Sequence, residues 1–334
     1  MRESDRPERV VSYPVAALFM LAVFVLGAAF IASYVGGLHA PRPHRVPVAV
    51  VGPPQATARV EAALRREGDT IDPRAYPTAG AADRAIRRRD VYGAYLPQQG
   101  RLLVTSAFGP TTVTVLRGAF GPVAAAGGKS LSVRDVVPAD AGDSEGLVPF
   151  YLVIGWIVSG YLVAAILGLY RGMAAGTPRD GALRVLAFAV YAAAMGGAGT
   201  LIVETGYGYL PGAPWLLAGV GALCVFAVTV ATAAAESLLG IIGTALTILV
   251  FVVLGNPSAG GPWPLQFLPG FWRDVGPWLP NWAATEAVRN AVYFDGHALT
   301  RPLVVLGVWA AAGIALVLSL AGRTNPVMRF PARD

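Results

Sequence analysis

Apolar positions in this chain gather into six long runs, at residues 14–36, 148–170, 183–203, 214–234, 237–255 and 302–321. A helix needs roughly 20 mostly apolar residues to cross a hydrocarbon core about 30 Å thick, so each run predicts a membrane span. Little separates the fourth run from the fifth except the stretch around Glu236, which predicts a tight turn there. Between the first and second runs the pattern changes scale. "APRPHRVPVAVVGPP" leads through prolines into a short apolar run that reads as a buried strand. "QATARVEAALRREG" has helical spacing at Val60, Ala63 and Leu64 and stops at Gly68. "AADRAIRRRD" predicts another helix, "VYGAYLP" and "GRLLVTSA" two strands around "QQG", "TVTVLRGAFGPVAAAGG" a helix and "LSVRDVVPA" a closing strand. Alternating strands and helices predict a small α/β domain over 39–147, joined to the second run by the polar linker "AGDSEG" at 141–146.

Composition supports the membrane reading. The chain of 334 residues is 55% hydrophobic and only 14% charged, where a soluble domain carries about 25% charged residues. A net charge of +6 would suggest a nucleic-acid partner in a soluble protein. Here the placement of charge excludes that reading. Arg2, Arg6 and Arg9 precede the first run, Arg171, Arg179 and Arg184 lie between the second and third, and Arg323, Arg329 and Arg333 follow the sixth. With six spans all three clusters fall on one side, and positive residues mark the cytoplasmic side. The expected fold is a polytopic α-helical membrane protein of the cell membrane. It has six transmembrane helices, both termini in the cytoplasm, and an α/β extracytoplasmic domain between the first and second. Its parts are 1–38 (N-terminus and first helix), 39–147 (outer domain), 148–255 (helices two to five), 256–301 (outer segment) and 302–334 (last helix and tail). The first run exceeds the usual 7–15-residue core of a signal peptide, and Pro41 follows the only small-residue cleavage point, Ala40. It reads as a retained anchor.

Candidate chemistry is sparse. "GGKS" at 127–130 ends like a phosphate loop, but Val123 stands where the first glycine belongs, and the reading taken is a helix ending in glycines. "RAIRRRD" at 84–90 reads as a solvated helix face, with an anionic surface as the sharper alternative. His39, His44 and His297 lack ligand spacing, and the sole cysteine, Cys224, lies inside the fourth run, so neither metal nor disulfide is expected. Glu204 and Glu236 fall at run ends and read as interfacial, which argues against a proton-driven carrier. No catalytic set is visible, so an enzyme is not expected. The small-residue stretches "MGGAGT" (195–200) and "GIIG" (240–243) suit close helix packing within the chain, or else a dimer seam.

"FLPGFWRDVGPWLPNW" at 267–282 is too broken for a span and too aromatic for a solvated loop. Trp and Tyr favour the membrane interface, and irregular backbone at membrane depth survives only where protein buries it or it lines a cavity. Short helices dipping back from the outer face are expected. "NWAATEAVRNAVYF" is a second short helix with Asn281 as N-cap and "DG" as its stop. The longer run "LGNPSAGGPWPLQFLPGFWRDVGPWLPNWAATEAVRNAVYFDG" (254–296) resembles the region before the last span of ABC-2-type membrane proteins. The likeness lies in the Ser-Ala-Gly step at 258–260, Pro264, the Leu-Pro pairs at 268–269 and 279–280, Arg289, and the Tyr293-Phe294 end with Gly296. Within that outer motif the candidates are Pro264, Pro269, Trp272, Pro277, Pro280, Arg289 and Gly296. The layout of one span, a large outer domain and five further spans is similar to the YhgE/Pip or nitrosoguanidine-resistance-like branch.

This resemblance implies a homodimeric permease that moves an apolar or amphipathic substrate out of the cell. It implies no cofactor in the chain itself, and ATP hydrolysis by a separate cytoplasmic subunit. The coupling loop would be "YRGMAAGTPRDGALR" at 170–184, with Arg171, Arg179, Asp180 and Arg184 as candidates. Positive-inside anchoring accounts for the three arginines equally well, but not for Asp180. The other function considered is a non-transporting membrane protein whose outer domain binds a ligand, an envelope component or a phage.

Overall fold

A computed structural model describes residues 13–65 and 68–322. Of the arginines used above to orient the chain, Arg2, Arg6, Arg9, Arg323, Arg329 and Arg333 lie outside the described residues. Among the described residues five helices are long and apolar enough to cross a membrane. They are α1 (Tyr13–Leu38), α5 (Val148–Arg171), α6 (Pro178–Leu201), α7 (Pro214–Leu239) and α11 (Thr300–Leu320).

The fifth apolar run does not make a sixth helix of that length. Continuous helix carries α7 to Leu239, and the turn comes at Gly240, whose φ of +62° suits a residue without Cβ. The expected turn at Glu236 is therefore still α-helix. Beyond it, α8 (Ile241–Ile248) has eight residues and continues as six residues of π-helix at Leu249–Leu254. At roughly 1.5 Å per residue the two together reach about 21 Å, short of a full hydrocarbon core. Apolarity had measured the length of the run but not where its backbone turns.

Between α1 and α5 the chain folds as an α/β domain. Its strands are β1 (Val46–Val51), β2 (Ile71–Tyr76), β3 (Gly93–Leu96), β4 (Arg101–Val104) and β5 (Ser132–Asp135), in the sheet order β2-β1-β3-β4-β5. Pairing is parallel except for the β3–β4 hairpin. The edge strand β2 was not foreseen, because Asp72, Pro73 and Arg74 hide its pattern; proline is tolerated at an edge. The helices are α2 (Pro54–Arg65), α3 (Ala79–Arg87) and α4 (Pro110–Ala126). Side chains alternate faces along a strand. Val46, Val48 and Val50 thus point to a core shared with Val60, Leu116 and Phe120 on α2 and α4. Ala49 and Val51 point to the opposite core, with Ala82 and Ile86 of α3. "GGKS" closes α4, with Gly128 at φ +70° and the Lys129 ammonium donating to the Gln98 carbonyl.

Each face of the sheet is completed from far along the chain. Phe267 is fully buried in the first core and Phe294 in the second. Both come from the segment between α8 and α11, which holds α9 (Gly270–Val275) and α10 (Pro280–Tyr293). That segment lies at the same end of the helices as the sheet. At this end Trp263 donates to the Leu38 carbonyl at 3.2 Å and Tyr209 packs on Gly142. Gathered at the other end are residues 172–177, the Gly240 turn and the end of α11, where the Gly322 amide donates to the Ala175 carbonyl at 2.9 Å.

In the bundle α7 is central. It packs against α5, α6, α10 and α11 and is the most enclosed of the five long helices, while α1 is the least. Small residues permit this, as expected in lipid, where close packing replaces the hydrophobic drive. A Cβ on Gly196 would overlap the Ala222 backbone nitrogen, and one on Gly221 would overlap the Trp156 ring. "MGGAGT" and "GIIG" thus serve contacts within the chain at Gly196, Gly199 and Gly243. Gly197 faces open space. Gly196→Ala should therefore destabilise the purified protein by about 1–3 kcal/mol through overpacking. Gly197→Ala should leave its thermal midpoint unchanged or slightly raised. Equal shifts for the two would show that α6 does not pack on α7 through Gly196.

Candidate functional site

α10 is enclosed by protein on nearly every side. Ala283, Ala284, Ala287 and Ala291 are buried and let it approach α5, α7 and α11 closely. Into this alanine-rich setting the sequence places Arg289, only 1% exposed. A buried cation is costly unless paired and hydrogen-bonded. Here Nη1 donates to the Gly260 carbonyl at 2.5 Å, and Nη2 to the carbonyls of Gly261 at 2.9 Å and Gly146 at 3.3 Å. Glu286, one turn earlier, lies 3.4 Å away. Burial pulls the Arg289 pKa down and Glu286 opposes it; an arginine remains charged through such a shift. Glycines make this cage possible. Gly146 and Gly260 sit at φ +66° and +72°, and a Cβ on Gly261 would overlap the Phe150 ring.

Glu286 has a second partner, which ties the sheet domain to the helices. Arg89 of the sheet domain reaches it at 2.6 Å and donates also to the Asn290 side chain. Its guanidinium lies 4.5 Å from the Phe108 ring centre and 5.0 Å from that of Phe294. Arg89 itself has φ +68°, so local strain is accepted to aim it. The solvated-face reading of "RAIRRRD" holds for Arg84, Arg87 and Arg88 but fails here, where the side chain is only 7% exposed. Nor is "AGDSEG" a free linker. Asp143 is buried and accepts from the Leu147 and Val148 amides at 2.8 and 3.0 Å, capping the start of α5. Desolvation nonetheless holds its carboxyl above the usual aspartate range.

The remaining motif residues form a staircase from α1 to α10. Pro264 precedes a short turn at Leu265–Phe267, Pro269 precedes α9, Pro277 lies in a turn at Gly276–Trp278, and Pro280 opens α10. Trp272 lies against Gly36 and Gly37 of α1 and donates to Ser33 Oγ at 3.2 Å. Gly296, at φ +75°, returns its amide to the Asn290 carbonyl at 2.9 Å. Only part of this segment is exposed. Trp278 is exposed, while Trp282 is buried.

Asn281 is not an N-cap; Leu279 holds that position. The Asn281 amide donates instead to the Phe251 carbonyl at 2.9 Å and to Asn256 Oδ1 at 2.8 Å. Asn256 in turn donates to the Tyr34 hydroxyl at 2.9 Å, and Ser33 donates to the Val253 carbonyl at 2.6 Å. Carbonyls of the π-helical turn are thus satisfied by side chains of α1 and α10, as irregular backbone in an apolar bundle requires.

At the opposite end, three coupling-loop candidates, Arg171, Asp180 and Arg184, line a cleft of about 420 Å³ between α5 and α6. Their roles differ. Arg184 is buried and donates to the Gly172 and Met173 carbonyls at 2.8 and 3.0 Å, so it shapes the loop rather than presenting charge. Asp180 belongs to the cap of α6. Thr177 Oγ1 accepts from the Asp180 amide at 3.1 Å and donates to its carboxylate at 2.7 Å. That cap explains the aspartate that positive-inside anchoring left over. Arg171 and Arg179 are exposed. Nearby, Glu236 is buried by protein, at 1% exposure, with Oε1 accepting from Thr244 at 2.8 Å.

Sequence reasoning singled out Arg289, gave Arg89 and Asn281 other roles, and missed Glu286 and Asn256. The available signal was a Glu-x-x-Arg step, 286–289, on an otherwise small and apolar helix face. Arg289→Ala should cost about 3–5 kcal/mol, because it leaves three buried carbonyls without their donor and Glu286 with Arg89 as its one remaining cation. Loss of folded protein on size exclusion, with Arg289→Lys only partly restoring it, is the expected result. Thr177→Ala should cost about 1 kcal/mol through the lost cap, read as a lower thermal midpoint with unchanged assembly. Compared with family models, with curated proteins and with solved structures, the chain matches none.

Proposed function

We propose that this chain is the permease subunit of an ABC-2-type export system, moving an apolar or amphipathic substrate outward as a homodimer. In this reading both termini are cytoplasmic, the α/β domain is outside, and a separate subunit hydrolyses ATP. The observation that carries it is the discontinuity inside the bundle. A mere anchor for an outer domain has no use for a half-length helix, a π-helical turn and a buried plug such as α10. Discontinuous helices with satisfied polar backbone are how transporters build a pathway and a moving part, and π-turns gather at functional sites. The exposed pair Arg171 and Arg179, at the end opposite the sheet domain, agrees with a cytoplasmic face. It also supplies charge for an acidic surface on the ATPase.

The test is affinity purification in mild detergent from native membranes, with mass spectrometry and ATPase assay of the eluate. A nucleotide-binding subunit should co-purify, and Arg171→Glu with Arg179→Glu should release it while the protein stays folded. Asp180 and Arg184 are left intact, since changing them would damage the loop itself. A homo-oligomer with no ATPase activity would contradict the mechanism and favour an outer domain that only binds a ligand.

A further inference from the structure

A cleft of about 290 Å³ opens where the sheet domain meets the first turn of α11. Its polar walls are Arg89 and Tyr92 from the sheet domain, Gln266, Glu286 of α10, and Arg301 of α11, with Trp282 beside them. Two guanidiniums and one carboxylate therefore face it. The carboxylate is already taken, since Glu286 lies 2.6 Å from Arg89 and 3.4 Å from Arg289. Arg301 has no ion pair among the described residues. Its exposed guanidinium rests 5.2 Å from the Trp282 ring centre. Gln266 Oε1 accepts from the Tyr92 hydroxyl at 2.5 Å, which leaves its amide NH2 as a donor on the same wall. Burial raises the Tyr92 phenol, so it stays neutral and adds no negative charge.

The position of the cleft narrows the ligand further. Arg301 stands in the first turn of a 21-residue apolar helix, and where such a helix crosses a bilayer its first turn lies at headgroup depth. Val304 and Val308 are exposed three and seven positions on, so they continue the same helix face towards the membrane interior. The arrangement offers a cation and amide donor at the top and an apolar track below. A volume of about 290 Å³ suits a phosphate with its glycerol but not two acyl chains.

We infer that this cleft binds the anionic phosphate headgroup of a glycerophospholipid, with Arg301 as its principal contact and Gln266 as second donor. Binding here does not depend on transport, so it stands or falls separately from the permease reading. The full-length protein in phosphatidylcholine nanodiscs would be titrated with short-chain phosphatidylglycerol, and separately with inorganic phosphate, by native mass spectrometry. Phosphatidylglycerol should bind in preference to phosphatidylcholine. Arg301→Gln should weaken it roughly tenfold or more, as loss of a charge-assisted hydrogen bond implies, and Arg301→Lys should restore most of the affinity. Competition by inorganic phosphate would show that the anion alone suffices; its absence would show that the acyl chains contribute. Arg301 is exposed, so both variants should keep the wild-type thermal midpoint in the absence of ligand. Equal binding of phosphatidylglycerol by wild type and Arg301→Gln, or no preference over phosphatidylcholine, would overturn the assignment.

Discussion

A guanidinium with almost no solvent exposure has to find its partners within the protein, and Arg289 finds them on three separate stretches of chain. The carbonyls of Gly146, Gly260 and Gly261 belong to the linker after the sheet domain and to the segment after the π-turn, while Glu286 shares its own helix. Glu286 then passes the connection to Arg89, and so to the sheet domain. Removing Arg289 leaves buried carbonyls without their donor, and removing Glu286 leaves two buried guanidiniums without a carboxylate; such losses cost more than the intact network stabilises. The requirement is strict enough to explain three local oddities together. They are the left-handed backbone at Gly146 and Gly260, the strained Arg89, and the alanine-rich surface that lets α10 sit among larger helices.

From that joint the rest of the architecture follows. The same segment that carries Arg289 completes the two cores of the sheet, through Phe267 on one face and Phe294 on the other. The sheet domain is therefore not a module hung on a linker; its apolar faces close only when 256–301 is folded against it. Towards the membrane the segment also repairs the backbone. Asn281 and Asn256 satisfy a π-turn carbonyl and link it to Tyr34 of α1, which is otherwise the least enclosed of the long helices. Displacement of α10 would thus be felt at once by the sheet domain, by the half-length helix and by α1.

Legibility in the sequence followed the physics of each level. Five of the six long apolar runs marked helices long enough to cross a membrane, because length and hydropathy are all that such a helix requires. The strand at 46–51 and the helices α2, α3 and α4 were readable from local periodicity. What could not be read was set by tertiary contact. Gly240 breaks a run that is uniformly apolar, so hydropathy is silent on it. Pro73 concealed an edge strand. The arginines of "RAIRRRD" look alike in sequence, yet Arg89 alone turns inward, because only its side chain meets Glu286. The resemblance to permeases pointed to Arg289 without saying what it holds, and Asp180 suggested a docking contact where the structure has a helix cap.

The sheet domain and the helices should behave as one rigid unit held by the Arg89–Glu286–Arg289 network. The most direct measurement is a pulsed electron-spin distance between labels on cysteines introduced at Arg84 of α3 and Leu186 of α6. Both positions are exposed, and the sole native cysteine, Cys224, is buried. A single narrow distance distribution in the wild-type background, broadened by Glu286→Ala, is the expected result. A broad distribution in the wild-type background, unchanged by that substitution, would mean that the domain moves freely and that the buried network does not hold it.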